Sequence, residues 1–199
     1  TGETGKLFGA VTNKEIADVL QKQFGYELDK KKIVLAEPIK QAGSYQLVPM
    51  TIELIPQIAE LERLCFSKPW NEQMLAEELD NPTASFIVAV GDNGQVLGYA
   101  GISVIAGEGY IDNVAVREEY RRKGIAQALL DVFLRFGKAH QLAFLTLEVR
   151  ASNDPAKQLY LKHGFEQVGR RKDYYDEPKE DAIIMTKYFQ AEQPDENDE

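Results

Sequence analysis

Between Val114 and Phe133 the chain reads VAVREEYRRKGIAQALLDVF. An apolar strand runs into a cluster of cations, passes a single glycine and continues as a helix with apolar residues at helical spacing. A helix N-terminus leaves four backbone amides without partners and carries a partial positive charge. An anion placed there satisfies both. Arg121, Arg122 and Lys123 add charge, Gly124 lets the backbone approach a ligand closely, and the small Ala126 keeps the following turn open. Several amides suit several oxygens, so a pyrophosphate fits this turn better than a single carboxylate. A solvated basic loop before a surface helix shows the same R-x-x-G-x-A spacing, but the strand before it and the long helix after it are what a phosphate cradle requires. No G-K-[ST] follows, so this is not a Walker loop. Only one glycine is present and the strand order before it differs, so it is not a Rossmann fingerprint.

The basic turn is notable because the chain of 199 residues has a net charge of −9. Much of that charge lies in residues 190–199, QAEQPDENDE, with five acids and no base, which read as a solvated, disordered tail. Without the tail about −4 remains, which argues against non-specific nucleic-acid binding, DNA included, as the main activity. No run of apolar residues is long enough for a membrane span, and no signal peptide opens the chain. Thr1 rather than a methionine stands first, which leaves the true N-terminus open. The single cysteine, Cys65, excludes an internal disulfide, fits a reducing, cytoplasmic setting, and reads as buried filler. Cys65, His140 and His163 are too widely spaced for a zinc signature, so no metal is expected. Both histidines read as surface groups, with His163–Gly164 at a helix end.

A junction near Gly43–Ser44 divides the chain into a front segment, 1–43, a main domain, 44–189, and the acidic tail, 190–199. In the front segment Thr12 and Glu15 form a capping box, and Ile16, Val19, Leu20 and Phe24 share a helical face. Lys32 to Leu35 reads as a strand. The pieces KLFGAVTNKEIADVL and DKKKIVLAEPIK resemble the C-terminal domain of the bacterial large-subunit ribosomal protein nine, over residues 5–43. That resemblance implies contact with ribosomal RNA through 1–43. The match stops before the family's closing strands, so a fused remnant serving as a docking or solubility module is the other reading.

In the main domain Tyr45 to Val48 reads as a strand and Thr51 as a helix cap, with Ile55, Ile58, Ala59, Leu61 and Leu64 on the apolar face. Asn71 caps a second helix with the face Met74, Leu75, Leu79. Three strands follow, with GDNGQ as a hairpin turn. Then come the helix from Gly124, the strand AFLTLEVR, the helix NDPAKQLYLKHG and two closing strands. The order β-α-α-β-β-β-α-β-α-β-β implies an α/β fold with a mixed, mostly antiparallel sheet flanked by helices.

Two further positions carry chemistry. Strand alternation puts Thr146 and Glu148 on one face and Leu145, Leu147 and Val149 on the other. Glu148 is either a working carboxylate at a strand end or a rim acid paired with Arg150 or Lys157. Tyr160 lies on the following helix, where a phenol is protonated at neutral pH and able to donate, or simply packs between Leu159 and Leu161. Asn153 is a natural N-cap with Pro155 in the first turn.

VREEYRRKGIAQALL resembles the acyl-coenzyme A pyrophosphate loop of the GNAT acetyltransferase superfamily. LEVRASNDPAKQLYLKHGFEQVGRRKDYY, EDAIIM and FSKPW are similar to its RimI branch of protein N-terminal acetyltransferases, over residues 45–189. The resemblance implies a GNAT fold, acetyl-CoA bound by the backbone of Arg121, Arg122, Lys123, Gly124, Ile125 and Ala126, and direct attack by the amine in a ternary complex. It implies Glu148 as general base and Tyr160 as general acid. It places the pantetheine arm against Asn153 and the backbone of Val114, Ala115 and Val116, the amide near Val114 polarising the thioester carbonyl. Trp70, Tyr174 and Tyr175 would border the acceptor, which the branch implies is the N-terminal alanine of the small-subunit ribosomal protein eighteen. Arg170, Arg171 and Lys172 are expected at a ribose phosphate or an acidic partner. Ala126 departs from the glycine often found in this loop. Lysine or small-amine acceptors, or a ribosome-docked RNA-binding module, remain the alternatives.

Overall fold

A computed structural model describes residues 45–189 of the chain. The helix and strand expected before residue 44 and the acidic tail after residue 189 lie outside the described residues. The elements follow the expected order: β1 (Tyr45–Pro49), α1 (Ile55–Cys65), α2 (Glu72–Leu79), β2 (Ala84–Gly91), β3 (Val96–Ile105), β4 (Glu108–Val116), α3 (Ile125–Ala139), β5 (Phe144–Arg150), α4 (Asp154–Lys162), β6 (Glu166–Asp176) and β7 (Lys179–Tyr188). Hydrogen bonding orders the strands β1-β2-β3-β4-β5-β7-β6. β4 and β5 run parallel, whereas β1/β2, β2/β3, β5/β7 and β6/β7 are antiparallel. Among the described residues no helix is long and apolar enough to cross a membrane.

The chain divides into two compact units, one of residues 45–103 and 111–135, the other of 104–110 and 136–189. In the first unit, α1 and α2 set Ile58, Leu61 and Leu75 into a core with Phe86, Tyr99 and Ala115. Asn71 Oδ1 accepts the Met74 amide and starts α2 as expected (2.9 Å). Thr51 stands before a 3-10 turn, Ile52–Leu54, but its side chain caps nothing there. Leu64 and Met74, expected on core faces, are 64 % and 42 % exposed. Instead Glu62 is buried on α1, because positions 55, 58, 59 and 62 share one stripe at helical spacing while 64 falls on the opposite side from Ile55. Gly98 on β3 permits a close approach, since a Cβ there would lie 2.7 Å from the Ala115 carbonyl oxygen.

In the second unit, β5 shows the alternation read from its sequence. Leu145, Leu147 and Val149 are buried and Glu148 is exposed. Tyr160 and Phe165 pack nearby, with ring centroids 5.6 Å apart. The parallel register with β4 covers Glu108–Tyr110 against Phe144–Thr146 and stops there. Gly164 has φ +79° and ends α4 behind His163, whose Nδ1 lies 2.7 Å from the Leu159 carbonyl oxygen. Neither histidine is a plain surface group: His163 is half-buried, and His140 lies on Phe136 with ring centroids 4.3 Å apart.

Candidate active site

In the first unit the basic turn begins where β4 ends. Arg117, not singled out by the sequence reading, anchors it. Its amide donates to the Leu97 carbonyl (2.9 Å), its Nε to the Val96 carbonyl (2.7 Å) and its Nη2 to Glu60 (2.7 Å). The Arg117 hydrogen bond and charge hold the Glu60 carboxyl below its ordinary value. A 3-10 turn, Glu118–Tyr120, follows, and Tyr120 Oη donates to Gln95 (3.2 Å). Lys123 Nζ sits 4.9 Å from the centre of the Tyr120 ring.

Arg121 folds back onto the strand. Its Nε donates to the Val116 carbonyl (3.1 Å), and its Nη2 lies 3.9 Å from Cys65 Sγ. Cys65 is half-buried rather than buried filler, and burial pushes its thiol up. Arg122 and Gly124 have φ of +63° and +81°, so the backbone alternates in hand and its amides turn toward one side, the geometry of an anion-binding nest. The first bond of α3 runs from the Ala128 amide to the Gly124 carbonyl (2.9 Å). The amides of Ile125, Ala126 and Gln127 therefore precede the helical ladder. A Cβ on Gly124 would meet nothing within 4 Å, and Arg122 and Lys123 are exposed. An open nest, a helix start and two exposed cations fit a pyrophosphate. Val114 is half-buried and Ala115 and Val116 are buried, so their side chains belong to the packing and only their backbone is left for the ligand contact expected of them. Trp70 also belongs to this unit, its ring 6.1 Å from that of Phe86.

The second unit gathers Glu148, Arg150, Arg171, Tyr174 and Tyr175. Glu148 Oε1 pairs with Arg171 Nη2 (3.2 Å), not with Arg150 or Lys157. Arg150 bonds Glu180 (3.3 Å) and lies 4.2 Å from the centre of the Tyr175 ring. Lys157 is occupied by Asp154 (2.7 Å) and the Ala151 carbonyl. Tyr175 Oη donates to the Glu148 carbonyl (3.4 Å). Burial first, and the neighbouring Tyr174, Glu148 and Glu180 against Arg150, push the Tyr175 phenol up to about 12. Tyr174 stands edge-on to Tyr175, with the Arg171 guanidinium 5.5 Å from its ring centre. Tyr160 is buried, and burial with a smaller push from Tyr175 raises its phenol well above the ordinary value. Asn153 caps α4 by accepting the Ala156 amide (3.2 Å). Arg170 bonds Asp181 (2.5 Å), so of the three cations 170–172 it is Arg171 that meets the Glu148 cluster.

Residues 55–165 match the model of the acetyltransferase (GNAT) family. The chain belongs to that family. Like other GNAT members it is an N-acetyltransferase that takes its acetyl group from acetyl-CoA. It is 37 % identical, over 68 % of its length and 90 % of the relative's, to a Bacillus subtilis protein provisionally named ribosomal protein bS18-alanine N-acetyltransferase. It is 33 % identical to the enzyme of that name from Escherichia coli K12, over 66 % and 88 % of the two chains. The crystal structure of the Escherichia coli ribosomal-protein-S18-alanine N-acetyltransferase superposes with a TM-score of 0.68 and 29 % identity, covering 77 % of this chain and 98 % of that one. At the other end, residues 1–59 match the model of the ribosomal protein L9 C-terminal domain. The large ribosomal subunit protein bL9 of Caldicellulosiruptor saccharolyticus is 63 % identical over 46 residues, which is 31 % of its length. This GNAT chain thus carries a ribosomal-protein-like sequence ahead of its catalytic domain.

Proposed function

We propose that this enzyme acetylates the N-terminal α-amine of a protein, with the N-terminal alanine of ribosomal protein bS18 as its acceptor, in the cytoplasm and by direct attack within a ternary complex. The observation that carries this reading is the similarity, over 66–68 % of this chain and 88–90 % of the relatives, to proteins named for that reaction. Acetyl-CoA supplies an activated thioester and an anionic handle. The amides of residues 122–127 would hold that handle and the backbone at Val114, Ala115 and Val116 would receive the pantetheine arm, while Asn153 is the further pantetheine contact that the family resemblance implies.

The acceptor amine must lose a proton. Its ordinary pKa is about 7.7 to 8.0, so a carboxylate acting directly or through one water suffices. Glu148 stands on the exposed face of its strand for that role, and its link to Arg171 orients Oε1. Tyr160 Oη keeps its proton at neutral pH because burial disfavours the phenolate, and gives it to the departing sulfur. Trp70 in the first unit, and Tyr174 and Tyr175 in the second, are the residues proposed for the acceptor side. Peptides with an N-terminal alanine, offered together with lysine-bearing and small-amine acceptors, test the proposal by mass spectrometry. Label on the α-amine is the expected result; label only on lysine or small amines overturns it.

A second role for residues 1–43, docking on ribosomal RNA, is favoured by the match to the L9 C-terminal domain. Binding of the full chain to ribosomal RNA with a steep salt dependence is the expected behaviour. Binding unchanged by deletion of 1–43 contradicts it.

A further inference from the structure

Glu62 lies on the core side of α1 with Ile55, Ile58, Ala59 and Leu61, and is 1 % exposed. Burial pushes its carboxyl up, against the pull of the Tyr99 hydroxyl and the Trp70 amide. An apolar side chain of similar volume would serve the core at least as well, so stability alone does not account for an acid here. Its bonds do. Oε2 accepts the amide of Trp70, in the segment between α1 and α2 (2.7 Å). Oε1 accepts the Tyr99 hydroxyl on β3 and Asn113 Nδ2 on β4 (3.2 Å). Asn113 Nδ2 also donates to Tyr99 Oη (2.9 Å), closing the network. Burial, and then the charge of Glu62, lift the Tyr99 phenol far above its ordinary value, so it remains a donor. One carboxylate therefore ties the backbone at Trp70 to β3, and to β4 at the residue that precedes Val114.

We infer that Glu62 is a positioning residue for acetyl transfer, setting the Val114 amide through Asn113 and the acceptor-side backbone through Trp70. The inference rests on the N-terminal acetyltransferase reading, in which the Val114 amide polarises the thioester carbonyl and Trp70 borders the acceptor. A carboxylate has two acceptor oxygens, and both are used. A glutamine has one, so whichever way it turns, one donor of the network faces an N–H group. Glu62→Gln thus uncouples one arm while conserving volume. Asn113→Ala cuts the β4 arm alone and leaves Glu62 bonded to Trp70 and Tyr99.

The test measures steady-state CoA release with an N-terminal-alanine peptide, alongside acetyl-CoA affinity and thermal melting. Small displacements of a polarising group cost much in rate, so Asn113→Ala is expected to lower kcat about tenfold with the peptide KM within about twofold of wild type. Glu62→Gln is expected to lower kcat and raise the peptide KM, with acetyl-CoA affinity changed less than kcat. A purely structural role would lower the melting temperature without that split. If both variants melt lower but keep wild-type kcat and KM, the inference is overturned; if Glu62→Gln does not fold, the kcat of Asn113→Ala decides. A wild-type chain that labels no N-terminal peptide sinks the underlying reading instead, a result distinguishable from the first.

Discussion

Replacing Tyr160 by phenylalanine removes one oxygen from a side chain that is 6 % exposed. The ring stays against Phe165 and the helix keeps its Asn153 cap, so the fold is retained and melting shifts by only a few degrees. On the proposed mechanism, what is lost is the proton donor to the departing sulfur. A positioned general acid contributes roughly 10² to 10⁴ in rate, or about 2.7 to 5.4 kcal/mol of barrier at 1.36 kcal/mol per decade. Turnover at saturating peptide and acetyl-CoA, followed by trapping the released thiol, is expected to fall by at least about a hundredfold. Acetyl-CoA affinity by calorimetry is expected to stay near wild type, because the backbone of residues 122–127 is unaltered. The pH profile gives an independent check. Burial raises the Tyr160 phenol, so the acid stays protonated past the ordinary tyrosine value of about 10, and wild-type turnover shows no alkaline fall attributable to it below that pH. Wild-type kcat in a well-folded Tyr160→Phe variant refutes the acid assignment.

Other expectations follow from the same geometry. Gly124→Ala forces an alanine to φ +81° and puts a methyl group into the open nest, so acetyl-CoA affinity by calorimetry falls about tenfold while folding loses about 1–2 kcal/mol. Arg117→Met strips charged hydrogen bonds from the Val96 carbonyl and Glu60, lowering stability in urea by about 2 kcal/mol. Arg171→Ala breaks an ion pair whose members are 56 % and 31 % exposed, so stability in urea changes by less than about 1 kcal/mol. Glu60, Glu180 and Asp181 have folded carboxyl values below their unfolded ones. Their contribution is present above about pH 4 and lost as pH falls through the folded values, so the urea midpoint should drop between about pH 5 and pH 3. A flat midpoint over that range would contradict these shifts.

Much of this molecule was decided locally. Asn71 and Asn153 are short side chains that reach amides three residues on, and both cap the helices their positions implied. Alternation along β5 assigned Glu148 to the open face, because successive side chains of a strand must point oppositely. The strand, basic turn and helix at Val114 to Phe133 already contained the nest, since a glycine before a helix start needs no distant partner. Tertiary structure decided the partners. Glu148 meets Arg171 rather than the nearby Arg150 or Lys157, because the β6/β7 hairpin brings Arg171 to it. Arg117 finds Glu60 across 57 positions, and Glu62 finds Asn113 across 51. Glu62 shares the helical stripe of Ile55, Ile58 and Ala59, a signal that assigning Leu64 to the apolar face missed, and nothing local says which donors will answer it. Periodicity and capping are short-range rules, whereas a buried charge is defined by whatever packing brings to it, and that packing exists only in the folded chain.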